Sequence, residues 1–309
     1  MADKPAKIDV PSLRLRHCTV GEHAQAYVEM QCLPYWWYQG VSRLLGNYSL
    51  PFRDENGHWW FRMKPGFCWP VDAFRPIPAS EATPPWCRSY VGYQHVLPDD
   101  HAANSYLVIN YLGNLSGYGP ASLNAKRRNA IRKGFKACEL GLLASPDEET
   151  MAGCRAAWNA LTARTGWKHA SDPQSFAESW RMLLGIPGVS IVVGRHRESG
   201  QVAGFLITKI IGDTAYVDTI ASRTDLLGAN VNDALLYAFL KNAAEIPGVD
   251  KAHYAIKSNV ESLEKFKRGL GFEPHSFASL LRLRPGIKIL LKLVAAEKYE
   301  RMLGRFGEV

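Results

Sequence analysis

The second half of the chain carries the pattern that most restricts the fold, three apolar runs separated by very short turns. The runs are VSIVVG at 189–194, QVAGFLITKI at 201–210 and TAYVDTIAS at 214–222. Each run is long enough for a strand, and turns as short as RESG and IGD join neighbouring antiparallel strands. The pattern therefore predicts a three-stranded antiparallel meander.

Helices are predicted on both sides of this meander. Ser145-Pro146-Asp147-Glu148 predicts an N-cap at Ser145 and a helix to about Arg164, and Asp172-Pro173 predicts a helix ending near Gly185. After the meander we expect a helix, a strand, a helix and a strand, at about 230–245, 251–258, 260–269 and 275–283. The order α-α-β-β-β-α-β-α-β predicts an α/β fold with a mixed sheet and helices on both faces.

The first 120 residues are predicted to form an aromatic, turn-rich lobe. Its expected strands are HWWFRM, SYVGYQHVL and SYLVINYL at 58–63, 89–97 and 105–112, and prolines cluster between them at 70–85. Six of the nine tryptophans lie here: Trp36, Trp37, Trp59, Trp60, Trp69 and Trp86. They indicate either a substrate cleft or, more commonly, the core of a lobe with few long helices.

The formal net charge of +8 comes from two basic segments rather than from the whole chain. The first, 122–139, holds Lys126, Arg127, Arg128, Arg132, Lys133 and Lys136 against a single acid, Glu139. The second, 282–309, holds seven Lys and Arg residues against three glutamates. An anionic partner is therefore expected at one of these segments.

The first basic segment is predicted to be a helix from about Ser122 to Leu140, ended by Gly141. Its apolar side chains, Ile131, Phe135 and Cys138, form one stripe, and the basic ones cover the opposite arc except for Arg127. Such a helix can bind nucleic acid, a phosphorylated ligand or an anionic membrane, or it can present a solvated face. The candidate phosphate contacts are Arg128, Arg132 and Lys136.

Several other classes of protein are disfavoured by the sequence. The six cysteines, Cys18, Cys32, Cys68, Cys87, Cys138 and Cys154, form no C-x-x-C pair, and the nine histidines show no metal-hydrolase spacing. No secretory leader or apolar membrane span is evident. We therefore expect a cytoplasmic protein with buried thiols and no metal.

Two motifs resemble those of a known enzyme family. They are Lys126-Arg127-Arg128-Asn129-Ala130-Ile131-Arg132-Lys133 and Phe266-Lys267-Arg268-Gly269-Leu270-Gly271-Phe272. With the order of elements, they resemble the GNAT acyltransferase fold in its FemAB-like form, which has an R-x-x-I-R-K helix and an F-K-x-x-x-G segment. The resemblance implies tandem GNAT-like lobes: an N-terminal lobe at 1–120, a basic connecting helix at 121–145, a C-terminal lobe at 146–285 and an amphipathic helix at 286–309.

The resemblance also implies where the acyl donor binds. In acyl-CoA enzymes of this fold, a Gln/Arg-x-x-Gly-x-Gly/Ala loop after the third meander strand holds the pyrophosphate. Aligned on Gly228, this chain has Asp225 first and Asn230 last, and an acid there would repel a pyrophosphate. The loop therefore favours a donor other than CoA, while Arg223 and Gly228 stay candidate donor contacts.

Further site residues follow from the same resemblance. Acyl-CoA enzymes often carry a tyrosine acid seven residues after Asn259, where this chain has Phe266. FemAB-like enzymes have Phe-Lys there, which implies that Lys267 offsets charge at the transfer site. Lys267 is expected at the edge of an apolar stripe of Leu263, Phe266 and Leu270. On the third strand, Asp218 could orient or deprotonate the amine. The remaining candidate substrate contacts are Tyr216, Lys257 and Asn259.

Three functions are compatible with these features. The leading one is amide-bond formation on an amine acceptor, such as a peptidoglycan precursor or a small natural-product intermediate, with an aminoacyl-tRNA as donor. The second is N-acyl transfer from acyl-CoA or an acyl-carrier protein. The third is a non-catalytic module that binds RNA or a membrane. Residues 287–306 are predicted to form one amphipathic helix, which could contact an anionic membrane or pack on the protein.

Overall fold

The computed structural model describes residues 8–30, 50–64, 66–166 and 173–304. The chain forms two compact units, each made of two segments. Unit 1 comprises Met1–Thr19 and Asn110–Glu273, and unit 2 comprises Val20–Ile109 and Pro274–Val309. Two of the predicted lobe tryptophans, Trp36 and Trp37, lie outside the described residues, as does Asp172.

Helices and strands follow each other in this order along the chain. They are α1 (Val20–Glu29), β1 (Phe52–Arg53), β2 (Trp59–Lys64), β3 (Phe67–Pro70), β4 (Gly92–Val96), β5 (Ser105–Leu112), α2 (Ala125–Ala137), β6 (Cys138–Leu142), α3 (Glu148–Thr165), α4 (Pro173–Gly185), β7 (Val189–His196), β8 (Val202–Ile211), β9 (Thr214–Ser222), α5 (Val231–Ala243), β10 (Lys251–Ile256), α6 (Glu261–Gly269), β11 (Glu273–Leu283), α7 (Pro285–Val294) and α8 (Ala296–Met302). The predicted mixed α/β fold and the order of elements from α3 to β11 are confirmed.

Unit 1 is built on five strands that lie side by side in the order β10-β9-β8-β7-β6. β6 to β9 pair antiparallel, which confirms the meander, and β10 joins β9 in parallel. Helix α5 packs on β8 and β9 and is buried along almost its whole length. The helix is mostly apolar, and the sheet and α2 together bury it.

Unit 2 holds β1 to β4 and most of β11. β4 pairs in parallel with β3 and antiparallel with β11, while β1, β2 and β3 form antiparallel neighbours. Trp60 is fully buried in its core, and its indole N–H donates to the Asp54 carboxylate at 2.9 Å. Trp86 is exposed instead, so the tryptophans of this unit do not share one role.

Three predicted boundaries are wrong. Asp147, not Ser145, is the N-cap of α3, because its carboxylate accepts the Thr150 backbone N–H at 2.7 Å. The basic helix ends at Ala137, and the following residues, Cys138 and Gly141 among them, form the edge strand β6 on β7. The predicted helix at 287–306 is two helices, α7 and α8, separated at Ala295, and its last residues lie outside the described part of the chain.

Candidate functional site

Strands β9 and β10 of unit 1 separate after only three paired positions. The paired residues are Lys251 with Thr214, Ala252 with Ala215 and His253 with Tyr216. Both strands continue beyond this point, β9 to Ser222 and β10 to Ile256. On β9, residues 214–217 are buried, whereas residues 218–220 are partly exposed. The sheet therefore opens into a gap between these two strands, and we call it the β9–β10 gap.

Asp218 lies at the start of this gap and is the extra residue of a β-bulge. The register of β8 with β9 passes from Ile207–Thr219 to Thr208–Val217 and so skips Asp218. A bulge re-aims one side chain and is common beside active sites. The bulge therefore sets the direction of the Asp218 side chain, the group expected to orient or deprotonate the amine.

The Asp218 carboxylate is nearly buried and has one cationic neighbour. The Lys209 ammonium lies 3.7 Å from Oδ1, while Oδ2 is buried and makes no hydrogen bond to the described residues. Lys209 also lies over the ring of Tyr216, which stacks on His253. Burial raises the pKa of Asp218 to about 6, and Lys209 only partly opposes this rise.

Lys267 on α6 is buried, with only 1% of its surface exposed. Its ammonium donates to Glu264 Oε1 at 2.9 Å and lies 5.0 Å from the ring centre of Tyr254, the residue that follows the last β9-paired residue of β10. Burial lowers the pKa of Lys267, and Glu264 opposes this effect. The positive charge therefore lies beside the point where β10 leaves β9.

The expected apolar stripe of α6 matches its buried face only at Leu270, which is fully buried. Glu264 and Lys267 are buried in the helix, whereas Leu263 and Phe266 are only half-buried. Phe266 is instead covered by the Arg127 guanidinium, 5.1 Å above its ring centre. An ion pair thus occupies the position at which helical periodicity places apolar side chains.

Glu264 ties this ion pair to two other elements. Its Oε1 also accepts the Ser258 backbone N–H at 2.9 Å and lies 3.4 Å from the Asn110 amide, while its Oε2 is buried without a hydrogen bond within the described structure. Sequence reasoning missed both Glu264 and Asn110. The spacing of Glu264 three residues before Lys267 was a usable signal, whereas only the tertiary structure brings Asn110 close.

Lys267 and Asp218 lie on opposite faces of the sheet. Tyr254, which contacts Lys267, belongs to the core cluster with Ala215 and Val217 on the α5 face. Neighbouring residues on a strand point to opposite faces, so Tyr216 and His253, which stack on each other beside Lys209 and Asp218, lie on the other face. The two expected catalytic residues therefore flank the β9–β10 gap without touching each other.

The expected donor loop holds its arginine in an internal ion pair. Arg223 contacts both oxygens of Asp225, at 3.0 and 2.5 Å, and also reaches the Gln201 amide oxygen. Gly228 lies in a short 3₁₀ turn, Leu227–Ala229, and its carbonyl accepts from the Asn230 side chain at 2.9 Å. Asp225 thus neutralises the charge that a pyrophosphate would need.

Helix α2 packs directly on the N-terminal turn of α5. A Cβ at Gly134 would lie 2.6 Å from the Asn230 carbonyl oxygen and 2.7 Å from the Ala234 Cβ, so only glycine allows this approach. Arg127 pairs with Asp233 of the same turn. The basic helix therefore covers the helix end that holds a pyrophosphate in acyl-CoA enzymes.

The basic side chains of α2 differ in how they are held. Lys126, Lys133 and Lys136 are exposed, whereas Arg128 and Arg132 are half-buried. Arg128 donates to the backbone carbonyls of Leu123 and Pro120, and Arg132 donates to Asn129.

At the end of β10, Lys257 and Asn259 are both exposed.

Among the described residues, no helix has the length and apolar character that crossing a membrane requires. Within 8–30, 50–64, 66–166 and 173–304, no three His, Cys, Asp or Glu side chains come together as metal ligands do.

Solved structures with a similar fold cover almost the whole chain. The DUF2156 C-terminal domain attributed to a lysylphosphatidylglycerol synthetase from Agrobacterium fabrum is 11% identical, with a TM-score of 0.56, covering 94% of this chain and all of that one. FemX is 11% identical, with a TM-score of 0.55, covering 91% of this chain and all of its own. The L-PGS of Bacillus licheniformis is 11% identical, with a TM-score of 0.51, covering 92% and 96%.

These likenesses show that the chain shares its fold with FemX and with the other two structures. No protein-family model and no curated protein sequence matches the chain.

Proposed function

We propose that the protein transfers an acyl or aminoacyl group to an amine and so forms an amide bond. The observation that carries the proposal is the β9–β10 gap, with Asp218 on one face and Lys267 on the other. Amide formation needs a group that takes a proton from the amine and a positive charge near the developing oxyanion. A carboxylate with a raised pKa and a buried ammonium supply those two properties.

The proposed donor is an aminoacyl-tRNA, whose ester bond breaks as the amide bond forms, so that the hydroxyl of the terminal ribose is the leaving group. Two observations favour it over acyl-CoA: the Arg223–Asp225 ion pair and the covering of the α5 N-terminus by α2. Exposed lysines on α2, at 126, 133 and 136, offer an RNA backbone several phosphate contacts. In this proposal Gly228, Lys257 and Asn259 position the donor or acceptor around the same gap, while Arg223 stays paired with Asp225.

The direct test measures transfer from a defined donor. Total tRNA charged with radiolabelled amino acids should lose its label to an amine acceptor, such as a nucleotide-linked peptidoglycan precursor, only when the enzyme is present. A calorimetric titration with acetyl-CoA should show no micromolar binding. If acetyl-CoA binds in that range and tRNA is inert, N-acyl transfer from CoA replaces this proposal. If neither donor supports transfer and tRNA binding alone is seen, the protein is a binding module.

The lysines of α2 should determine the salt dependence of tRNA binding. We expect the variant K126Q/K133Q/K136Q to reduce the slope of log K against log salt by about 2, since each phosphate contact on a single strand contributes about 0.7. The control R75Q/R181Q removes two exposed charges elsewhere and should leave the slope unchanged. Filter binding at several salt concentrations measures both. An unchanged slope in the lysine variant would exclude α2 as the tRNA contact, and R128Q/R132Q/K136Q then tests the arginines in the same way.

Asp218 should give the reaction an acid limb. Its pKa is raised to about 6, so below that pH it is protonated and cannot accept the amine proton. We expect kcat/KM to fall tenfold per pH unit below about pH 6 and to reach a plateau above it. In the Asp218→Asn variant the limb should disappear and the plateau should fall. A wild-type profile that is flat between pH 5 and 8 would rule out Asp218 as the base.

A further inference from the structure

Helix α7 of unit 2 presents an apolar stripe to solvent. Ile289, Leu290, Leu293 and Val294 are 61%, 55%, 79% and 77% exposed. These positions occupy adjoining angles on the helix, whereas Ile287 and Leu291, which are half-buried, mark the side that faces the protein. Scattered exposed apolar residues are ordinary, but four on one short helix face indicate a surface that binds something.

Positive charge lies along the edge of this stripe. Lys288 and Lys292 follow each other on the side of the stripe next to Ile289, and both are exposed. The segment from Arg282 to Val294 also contains Arg284 and has no acidic residue; the nearest glutamates, Glu297 and Glu300, belong to α8. An apolar stripe edged by lysines is the arrangement of helices that lie in the interface of an anionic bilayer.

An exposed tryptophan extends the same surface. Trp86 is 55% exposed, and the Arg284 guanidinium at the start of α7 stacks on its ring. The Arg284 backbone N–H also donates to the Val91 carbonyl at 3.2 Å, which holds the loop that carries Trp86 against the helix. Tryptophan and arginine are both favoured at the level of lipid headgroups, because each has an apolar body and a polar end.

We propose that α7, together with Trp86 and Arg284, is a docking surface for an anionic lipid membrane. The stripe of Ile289, Leu290, Leu293 and Val294 enters the headgroup region, and Lys288 and Lys292 contact lipid phosphates. The inference does not depend on the proposed transfer reaction, because it rests on side chains of unit 2 alone. The proposal places a membrane interface in the second basic segment of the sequence. The first basic segment contains α2, which is the proposed contact for tRNA.

Vesicle flotation with the full-length protein tests this surface. Wild-type protein should float with vesicles of phosphatidylcholine and phosphatidylglycerol in equal amounts, and weakly or not at all with pure phosphatidylcholine. L293D/V294D should abolish flotation by placing charge on the stripe. K288Q/K292Q should weaken binding by about tenfold or more, since each basic residue near an anionic surface contributes on the order of 1 kcal/mol.

The matched controls lie on α4 of unit 1, where Met182 and Arg181 are exposed. Met182→Asp and Arg181→Gln should float as the wild type does, and circular dichroism should show native folding for every variant. Equal flotation of wild type and L293D/V294D would overturn the proposal. Equal flotation of the wild type with anionic vesicles and with pure phosphatidylcholine vesicles would also overturn it. If light scattering shows a dimer that L293D/V294D converts to a monomer, without flotation of either, the stripe binds a second copy of the chain instead.

Discussion

If the protein catalyses the proposed transfer, replacing Lys267 with methionine is expected to lower turnover by about 10²–10³-fold, the loss seen when one oxyanion-stabilising donor is removed from a serine protease. Methionine keeps most of the side-chain volume and removes the ammonium beside the β9–β10 gap. Donor binding should change much less than turnover, because the charge acts when negative charge develops on the acyl oxygen. Single-turnover kinetics with a saturating donor measure the two effects separately.

The difficulty of this variant is that it leaves Glu264 buried without its ion-pair partner. Loss of one member of a buried pair costs about 3–5 kcal/mol, enough to unfold part of the sample. The double variant E264Q/K267M removes both charges and should recover much of that stability without recovering turnover. Lys265→Met, on the exposed side of the same helix, should match the wild type in both respects.

These variants separate chemistry from folding. Should E264Q/K267M turn over at the wild-type rate, Lys267 serves only the packing of α6. A K267M protein that is native by circular dichroism and fully active would lead to the same conclusion. Turnover lost in both variants, with stability recovered in the double one, would place Lys267 in the transfer step.

Arg127→Met is expected to destabilise unit 1 by about 3–5 kcal/mol, because it leaves the Asp233 carboxylate buried without a partner. Arg127 joins α2 to the first turn of α5, and Asp233 is only 8% exposed. Urea unfolding at pH 7.5 measures the loss. Lys126→Met, its exposed neighbour in the same helix, should change the free energy of unfolding by no more than about 0.5 kcal/mol.

The loss should depend on pH in a defined direction. Burial already raises the pKa of Asp233, and removal of Arg127 takes away the charge that holds it down. Because the folded pKa then lies further above the unfolded value, the penalty is small near pH 4 and grows as the pH rises through the folded pKa. R127M should therefore lose less stability at pH 5 than at pH 7.5, and R127M/D233N should recover part of the loss. An equal loss at both pH values would mean that the pair stabilises through packing rather than charge.

The first basic segment forms a helix near its predicted place, but the structure changes the roles of its individual residues. The sequence predicts a basic helix with Arg128, Arg132 and Lys136 as its candidate phosphate contacts and Arg127 beside the apolar side. Arg127 instead binds α2 to α5, and Arg128 bonds backbone carbonyls, which leaves the exposed lysines as the stronger candidates for binding an anion. Periodicity assigns a residue to a face, but it does not reveal which acceptors lie across that face.

What the sequence by itself determined is the order of elements from α3 to β11, the fold class and the place of the basic helix. These depend on local quantities: apolar periodicity, turn residues and the spacing of short motifs. Only the tertiary structure decided the bulge at Asp218, the burial of Lys267 with Glu264, and the closeness of Asn110. The reason is that register, desolvation and pairing with distant residues arise when separate segments pack, and a buried ion pair has the same local pattern as a solvated one.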